Sequence, residues 1–282
     1  MNRFAVALVV AAIVGSGSTA LAQQRPLVTE DPETVGAGLV LIEGGFDAQH
    51  DIFYPVSGLE GNLLRLPTLG VSFGISSIAE LQIDGGLYNR LNVTSRQPAP
   101  LSNLLDFTGD RTSDIEDVVV ATKIRMLAEN PGRPAIAVRF ATRLPNASNE
   151  SGLGLDTTDF YVSALVGKTV QSIRFVGNVG LGILGDPTDG NRQNDVLTYG
   201  LSLARAVRQG VEVVGEINGR LDTREGEPPP GTDTRGAMRV GARFTKGTVR
   251  IDGGLIIGMT SRDPSIGFTA GATWVFRGFT VP

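Results

Sequence analysis

The chain has 282 residues, 37 of them glycine and none cysteine, with 25 basic against 29 acidic side chains. An exported chain without cysteine is not stapled by disulfides, a net charge of −4 gives no electrostatic basis for nucleic-acid binding, and this much glycine weighs against long helices. After residue 22 no apolar run approaches the ~20 residues a spanning helix needs.

Residues 1–22 have the layout of a secretory signal peptide: Arg3, an apolar stretch from Phe4 to Val14, then Ala20-Leu21-Ala22 as a small-x-small cleavage site. Residues 23–34, QQRPLVTEDPET, are polar with two prolines and read as a short periplasmic N-terminal tail. From there a period of two sets in. In 36–47, Val40, Ile42 and Phe46 alternate with Glu43, Gly45 and Asp47. Runs of the same kind follow at 64–74, 78–89, 115–126, 135–144 and 159–166, then at 172–184, 195–205, 211–221, 235–245, 248–259 and 265–276. That makes twelve, an even number.

The connections alternate in length. The short ones are 75–77, 127–134, 167–171, 206–210 and 246–247. The long ones are 48–61, 91–114, 145–158, 185–194 and 222–234, with a shorter last one at 260–264, and they are rich in Asp, Asn, Ser, Gly and Pro. Runs of ten or so residues exceed the usual strand of globular proteins, about 5–6 residues, and charge sits deep within their polar faces. These features favour an all-β, antiparallel up-and-down transmembrane barrel of about twelve strands, spanning 35–282, over a periplasmic sandwich.

The closing run, SIGFTAGATWVF, sets Phe268, Ala270, Ala272, Trp274 and Phe276 against Thr269, Gly271 and Thr273. Its order of Thr269, Gly271, Trp274 and Phe276 resembles the C-terminal signal by which bacterial outer-membrane barrels are inserted, although the chain runs on to Pro282. The region IEDVVVATKIRMLAENPGRPAIAVRFATRLPNAS, with Lys123, Pro134, Leu144 and Pro145, then TDFYVSALVGKTV and the hairpin GVSFGISSIAELQI, resembles the outer-membrane transporters associated with the meta-pathway of phenol degradation. That resemblance implies an integral bacterial outer-membrane protein that passes small, aromatic or hydrophobic molecules passively. Its partners would be outer-membrane lipid and the barrel-assembly machinery, and a monomer is expected.

Catalytic chemistry finds little support. The single histidine, His50, falls beside Asp51 in the first long connection, and no Gly-x-Ser-x-Gly motif offers it a nucleophile. The carboxylates Asp106/Asp110/Asp114 and Asp186/Asp189/Asp195 do not follow calcium-loop spacing and read as solvated loop residues. No cofactor, metal or phosphate-cradling motif is present. The informative residues are the inward charges: Glu80, Asp84, Lys123, Arg125, Arg139, Arg143, Arg174, Glu212, Glu216, Arg239 and Arg243. Pairing of neighbouring strands brings Glu80 and Asp84 beside Lys123 and Arg125, and Glu212 and Glu216 beside Arg239 and Arg243. Two readings stay open: a pore lining that selects permeants, or cross-strand ion pairs that fill a narrow lumen. A non-conducting structural or surface-interaction barrel is the runner-up function, and an outer-membrane hydrolase the third.

Overall fold

The computed structural model describes residues 24–281, so the signal-peptide reading of residues 1–22 lies outside the described residues. Fourteen strands form one antiparallel sheet. They are β1 (Leu39–Tyr54), β2 (Leu59–Gly74), β3 (Ala79–Gly86), β4 (Asn89–Arg96), β5 (Arg111–Asp114), β6 (Val119–Leu127) and β7 (Ala135–Arg143). The rest are β8 (Asp159–Val170), β9 (Ile173–Gly185), β10 (Gln193–Arg208), β11 (Val211–Asp222), β12 (Arg235–Lys246), β13 (Val249–Gly258) and β14 (Ile266–Arg277).

Twelve of them close a barrel. β6 to β14 each pair with their neighbours in sequence, β3 pairs with β6 and β2, and β1 pairs with both β2 and β14. The closing seam runs from Leu39 opposite Arg277 to His50 opposite Ile266. No sheet edge in the barrel wall is then left free for another chain. The twelve alternating runs of the sequence all fall on barrel strands.

Alternation sends one face of each strand outward. Phe140, Phe160, Leu181, Leu201 and Trp274 stay 49–63% exposed. On β8 the alternate residue Leu165 is 1% exposed. A wall of bulky apolar side chains this exposed would promote association in water; facing acyl chains, it is the apolar band of a transmembrane barrel. No helix among the described residues is long and apolar enough to cross a membrane.

Three features differ from the sequence reading. First, two of the long connections carry strand. β1 and β2 run on to Tyr54 and Leu59, leaving a four-residue turn at 55–58 where residues 48–61 read as a loop. β4 and β5 occupy parts of 91–114, with β4 on the outer half of β2 and β5 on β4. The separation of β3 from β4 falls opposite Pro67, which has no N–H to give the ladder; its carbonyl accepts from Leu87, while Leu66 donates to Tyr88. Second, the residues after β14 fold back on the first strand, where the Gly278 and Phe279 amides donate to the Gly38 carbonyl, instead of projecting freely. Third, residues 24–35 lie inside the barrel and not below it.

Candidate functional site: the occupied lumen

The inward positions follow from the alternation that places their neighbours outward, and strand pairing then decides which charges meet. Glu80 stands opposite Lys123 in the register of β3 and β6. Lys123 Nζ lies 3.0 Å from Glu80 Oε1, both side chains being almost wholly buried. Glu216 faces Arg239 at 3.0 Å, and Glu212 faces Arg243 at 2.7 Å. Arg143 reaches across to β8, 2.5 Å from Asp159, with Asp117 at 3.5 Å. Asp84 departs from the expected pairing, since its nearest cation is Arg139 at 3.7 Å.

The remaining partners come from the N-terminal segment, which the sequence placed in a periplasmic tail. Glu30 is the hub. Its carboxylate meets Lys123 Nζ at 3.3 Å and Arg139 Nε at 3.1 Å, while its amide donates to Asn178 Oδ1. Asp31 pairs with Arg174 at 2.7 Å, and Glu33 with Arg125. Glu216 accepts from the Val28 and Thr29 amides at 2.9 and 2.8 Å, and Glu80 accepts from the Val35 amide. Leu27 packs on Ala204 and Val214. A polar, proline-bearing peptide can be buried because wall carboxylates and the Asn178 side chain satisfy four of its amides. Buried charges need this degree of pairing, since desolvating each ion costs several kcal/mol.

Arg25 anchors the start of the segment. It donates to Thr68 Oγ1, Thr269 Oγ1 and the Ala270 carbonyl, and lies 3.5 Å from Asp252. Gly45 and Gly271, opposite each other on β1 and β14, make room for it; a Cβ at either would meet its guanidinium at 2.4–2.5 Å. Thr269 and Gly271, read from the sequence as parts of an assembly signal, thus also have a local task. The other two residues of that motif face outward, with Trp274 and Phe276 stacked at 4.4 Å.

At the short-turn end the Arg174 guanidinium is held by Asp31 and by Glu129 of the 128–134 connection. Burial raises the Glu129 pKa, but the Thr169 amide and the Arg174 and Lys168 charges outweigh it and hold the carboxyl below its ordinary value. Beyond the segment the lumen keeps a cavity of about 440 Å³, bordered by Leu27, Val28, Thr68, Tyr161, Arg65 and Arg139. The long-loop end is different. There Leu59, Leu63, Leu91 and Val93 face inward and form a small apolar core with Ile52, Tyr54, Leu105, Phe107 and Leu153. The Ser57 hydroxyl and the Asp106 amide tie it to the 144–158 connection through Gly152 and Glu150.

His50 belongs to β1 and not to a loop. Its ring contacts Asn62 Oδ1 and Asp51, while the Ser265 hydroxyl turns to Asp51 and the His50 carbonyl, not to the imidazole. Among the described residues no three His, Asp or Glu side chains converge as metal ligands. Asp186 and Asp189 instead accept bonds from Thr188 and Asn191 within their own turn.

A closed, lipid-faced antiparallel wall around a charged lumen defines the class of protein as an outer-membrane-type β-barrel. The profile of the family described as "Putative MetA-pathway of phenol degradation" matches residues 24–275, and the chain belongs to that family. The match begins at the lumenal segment itself. Among solved structures, the chain is similar to an outer membrane channel from Pseudomonas putida F1, with TM-score 0.62 and 12% identity over 87% of this chain and 98% of that one. It is also similar to the translocator domain of the autotransporter NalP from Neisseria meningitidis, with TM-score 0.53 and 14% identity over 97% of each chain. The NanC porin follows at TM-score 0.50 and 9% identity, over 83% of this chain and 98% of that one. At such identities the likeness is one of fold. A search of curated proteins found no match.

Proposed function

We propose that this protein is an integral outer-membrane channel that passes small molecules passively, with residues 24–35 setting the bore. The observation that carries the reading is the cavity of about 440 Å³ left beside that segment inside a closed barrel. Its size falls within the ~300–1,000 Å³ of small-molecule sites. Its lining combines Tyr161, Leu27 and Val28 with arginines and carboxylates. That mixture suits a small molecule with an apolar body and a polar edge, in keeping with the phenolic chemistry in the family's description. The inward charges at 80, 84, 123, 125, 139, 143, 174, 212, 216, 239 and 243 act in this reading first as supports of the segment and only secondarily as a selectivity field.

Planar bilayers test the proposal. Purified protein that conducts ions, and whose conductance falls when a small phenol is added, supports it. Silence at every voltage and solute favours the alternative, a structural or surface-interaction barrel whose folded outer loops are its working part. Outer-membrane fractionation with heat-modifiable gel migration tests the location; a soluble product unaffected by boiling would contradict it. The aromatic end of β14 is proposed to serve as the assembly signal. Trp274→Asp should then lower outer-membrane levels, although its direct cost near the interface is only about 0–1 kcal/mol.

A further inference from the structure

On the outer wall at the long-loop end, a cleft of about 490 Å³ has two chemically distinct halves. One half is apolar: Leu255, Ile266 and Phe268, which are lipid-facing and 45–49% exposed in the last two cases. The other is polar, with His50, Asn62, Arg90 and Asn92. Arg90 combines two features: a buried Nε without a hydrogen-bond partner and no ion pair among the described residues. The inward arginines at 125, 139, 143, 174, 239 and 243 each have a carboxylate partner. The Arg90 Nε is shielded from outside, so an external phosphate would meet the terminal guanidinium nitrogens, which no carboxylate among the described residues engages.

A second cation stands next to it. Arg111 on β5 lies opposite Asn92 and donates to its Oδ1 at 3.2 Å. Of the carboxylates nearby, Asp51 holds the His50 ring and the Ser265 hydroxyl, and Asp114 accepts from the Ile115 and Ser148 amides. Glu60 lies farther along β2, opposite Ser95, and Asp110 precedes Arg111 at the point where its carbonyl accepts from Val93. Below Arg90 the exposed Tyr88 and Leu66 continue the lipid-facing wall, so the guanidinium sits where acyl chains give way to headgroups. Arginine's planar fork suits phosphate oxygens, and the Asn62, Asn92 and His50 groups can hydrogen-bond sugar hydroxyls.

We infer that this cleft binds a phosphorylated glycolipid of the outer leaflet, with its acyl chains on Leu255, Ile266 and Phe268 and a phosphate on Arg90 and Arg111. The inference rests on the outer-membrane reading above, with the long-loop end facing outward.

The test is native mass spectrometry of the folded barrel in non-ionic detergent, titrated with bis-phosphorylated lipid A, with the same lipid after phosphate removal, and with phosphatidylglycerol. The bis-phosphorylated glycolipid should bind roughly tenfold or more tightly than either comparison, the ratio expected for one lost bond to a charged group. Arg90→Gln with Arg111→Gln should lose a similar factor, whereas Arg133→Gln, in the short-turn connection, should lose nothing. Equal binding of the dephosphorylated lipid, an equal preference for phosphatidylglycerol, or undiminished binding by the double variant overturns the inference. The comparison of lipids on the unaltered protein decides the matter even where a variant fails to refold. A chain that never shows heat-modifiable migration defeats the outer-membrane reading instead, so the two failures are separable.

Discussion

At the short-turn end of the lumen, residues 24–35 are held by charge. Glu30 lies between Lys123 and Arg139, Asp31 meets Arg174, and Glu216 accepts two backbone amides. At the long-loop end the inward residues are leucines and valines, packed as in a small soluble domain and tied down by neighbouring loops. The difference teaches what each end can do. Hydrogen-bonded ion pairs demand specific partners, so a peptide seated on them occupies one position and leaves as a unit. An apolar core is non-directional and tolerates repacking, which suits loops that vary in length.

The comparison breaks most severely at Lys123. Lys123→Met leaves Glu80 and Glu30 facing each other in a buried site, and removing one partner of a buried pair costs about 3–5 kcal/mol. The denaturant midpoint of the refolded barrel should fall accordingly, and residues 24–35 should become accessible to protease. Leu91→Ala should cost about 2–5 kcal/mol at the other end, but locally. Proteolysis in 97–110 should quicken while barrel migration on an unheated gel stays unchanged. Glu216→Gln is milder, about 1.5–3 kcal/mol for bonds to a charged acceptor; it loosens the segment and also removes the charge opposite Arg239, which keeps its bond to Asn218. It can be read with a cysteine pair, Thr29→Cys and Gly200→Cys, because a Cβ at Gly200 would lie 3.5 Å from that of Thr29, within disulfide range. The crosslink should form readily in an otherwise cysteine-free chain and less completely once Glu216 is changed.

The barrel was legible in the sequence because alternation is local and neighbouring strands pair in register. Both properties carried the pairs Glu80–Lys123, Glu216–Arg239 and Glu212–Arg243 from spacing to contact. The lumenal segment was not legible. Its partners lie far along the chain, as Val28 and Glu216 do, 188 residues apart, and its composition, polar with prolines, is the same as that of a solvated tail. Its signal was a surplus: Arg139 stands opposite Lys123 and Ser163, and Arg174 opposite Thr169 and Ala204, so neither meets a carboxylate in register, while QQRPLVTEDPET carries three acids and one base. The outer extension was hidden for another reason. Pro67 interrupts the ladder between β3 and β4, so the alternation of 89–96 looked like the start of a loop.

The central claim is that solutes pass through the lumen and that residues 24–35 limit them. Single-channel conductance of the full-length barrel, set against a variant lacking residues 24–34, tests it most directly. Removal should raise conductance several-fold and admit larger solutes, both variants first being verified as folded by their unheated migration. Equal conductance from the two folded proteins, or silence from both, would contradict the account.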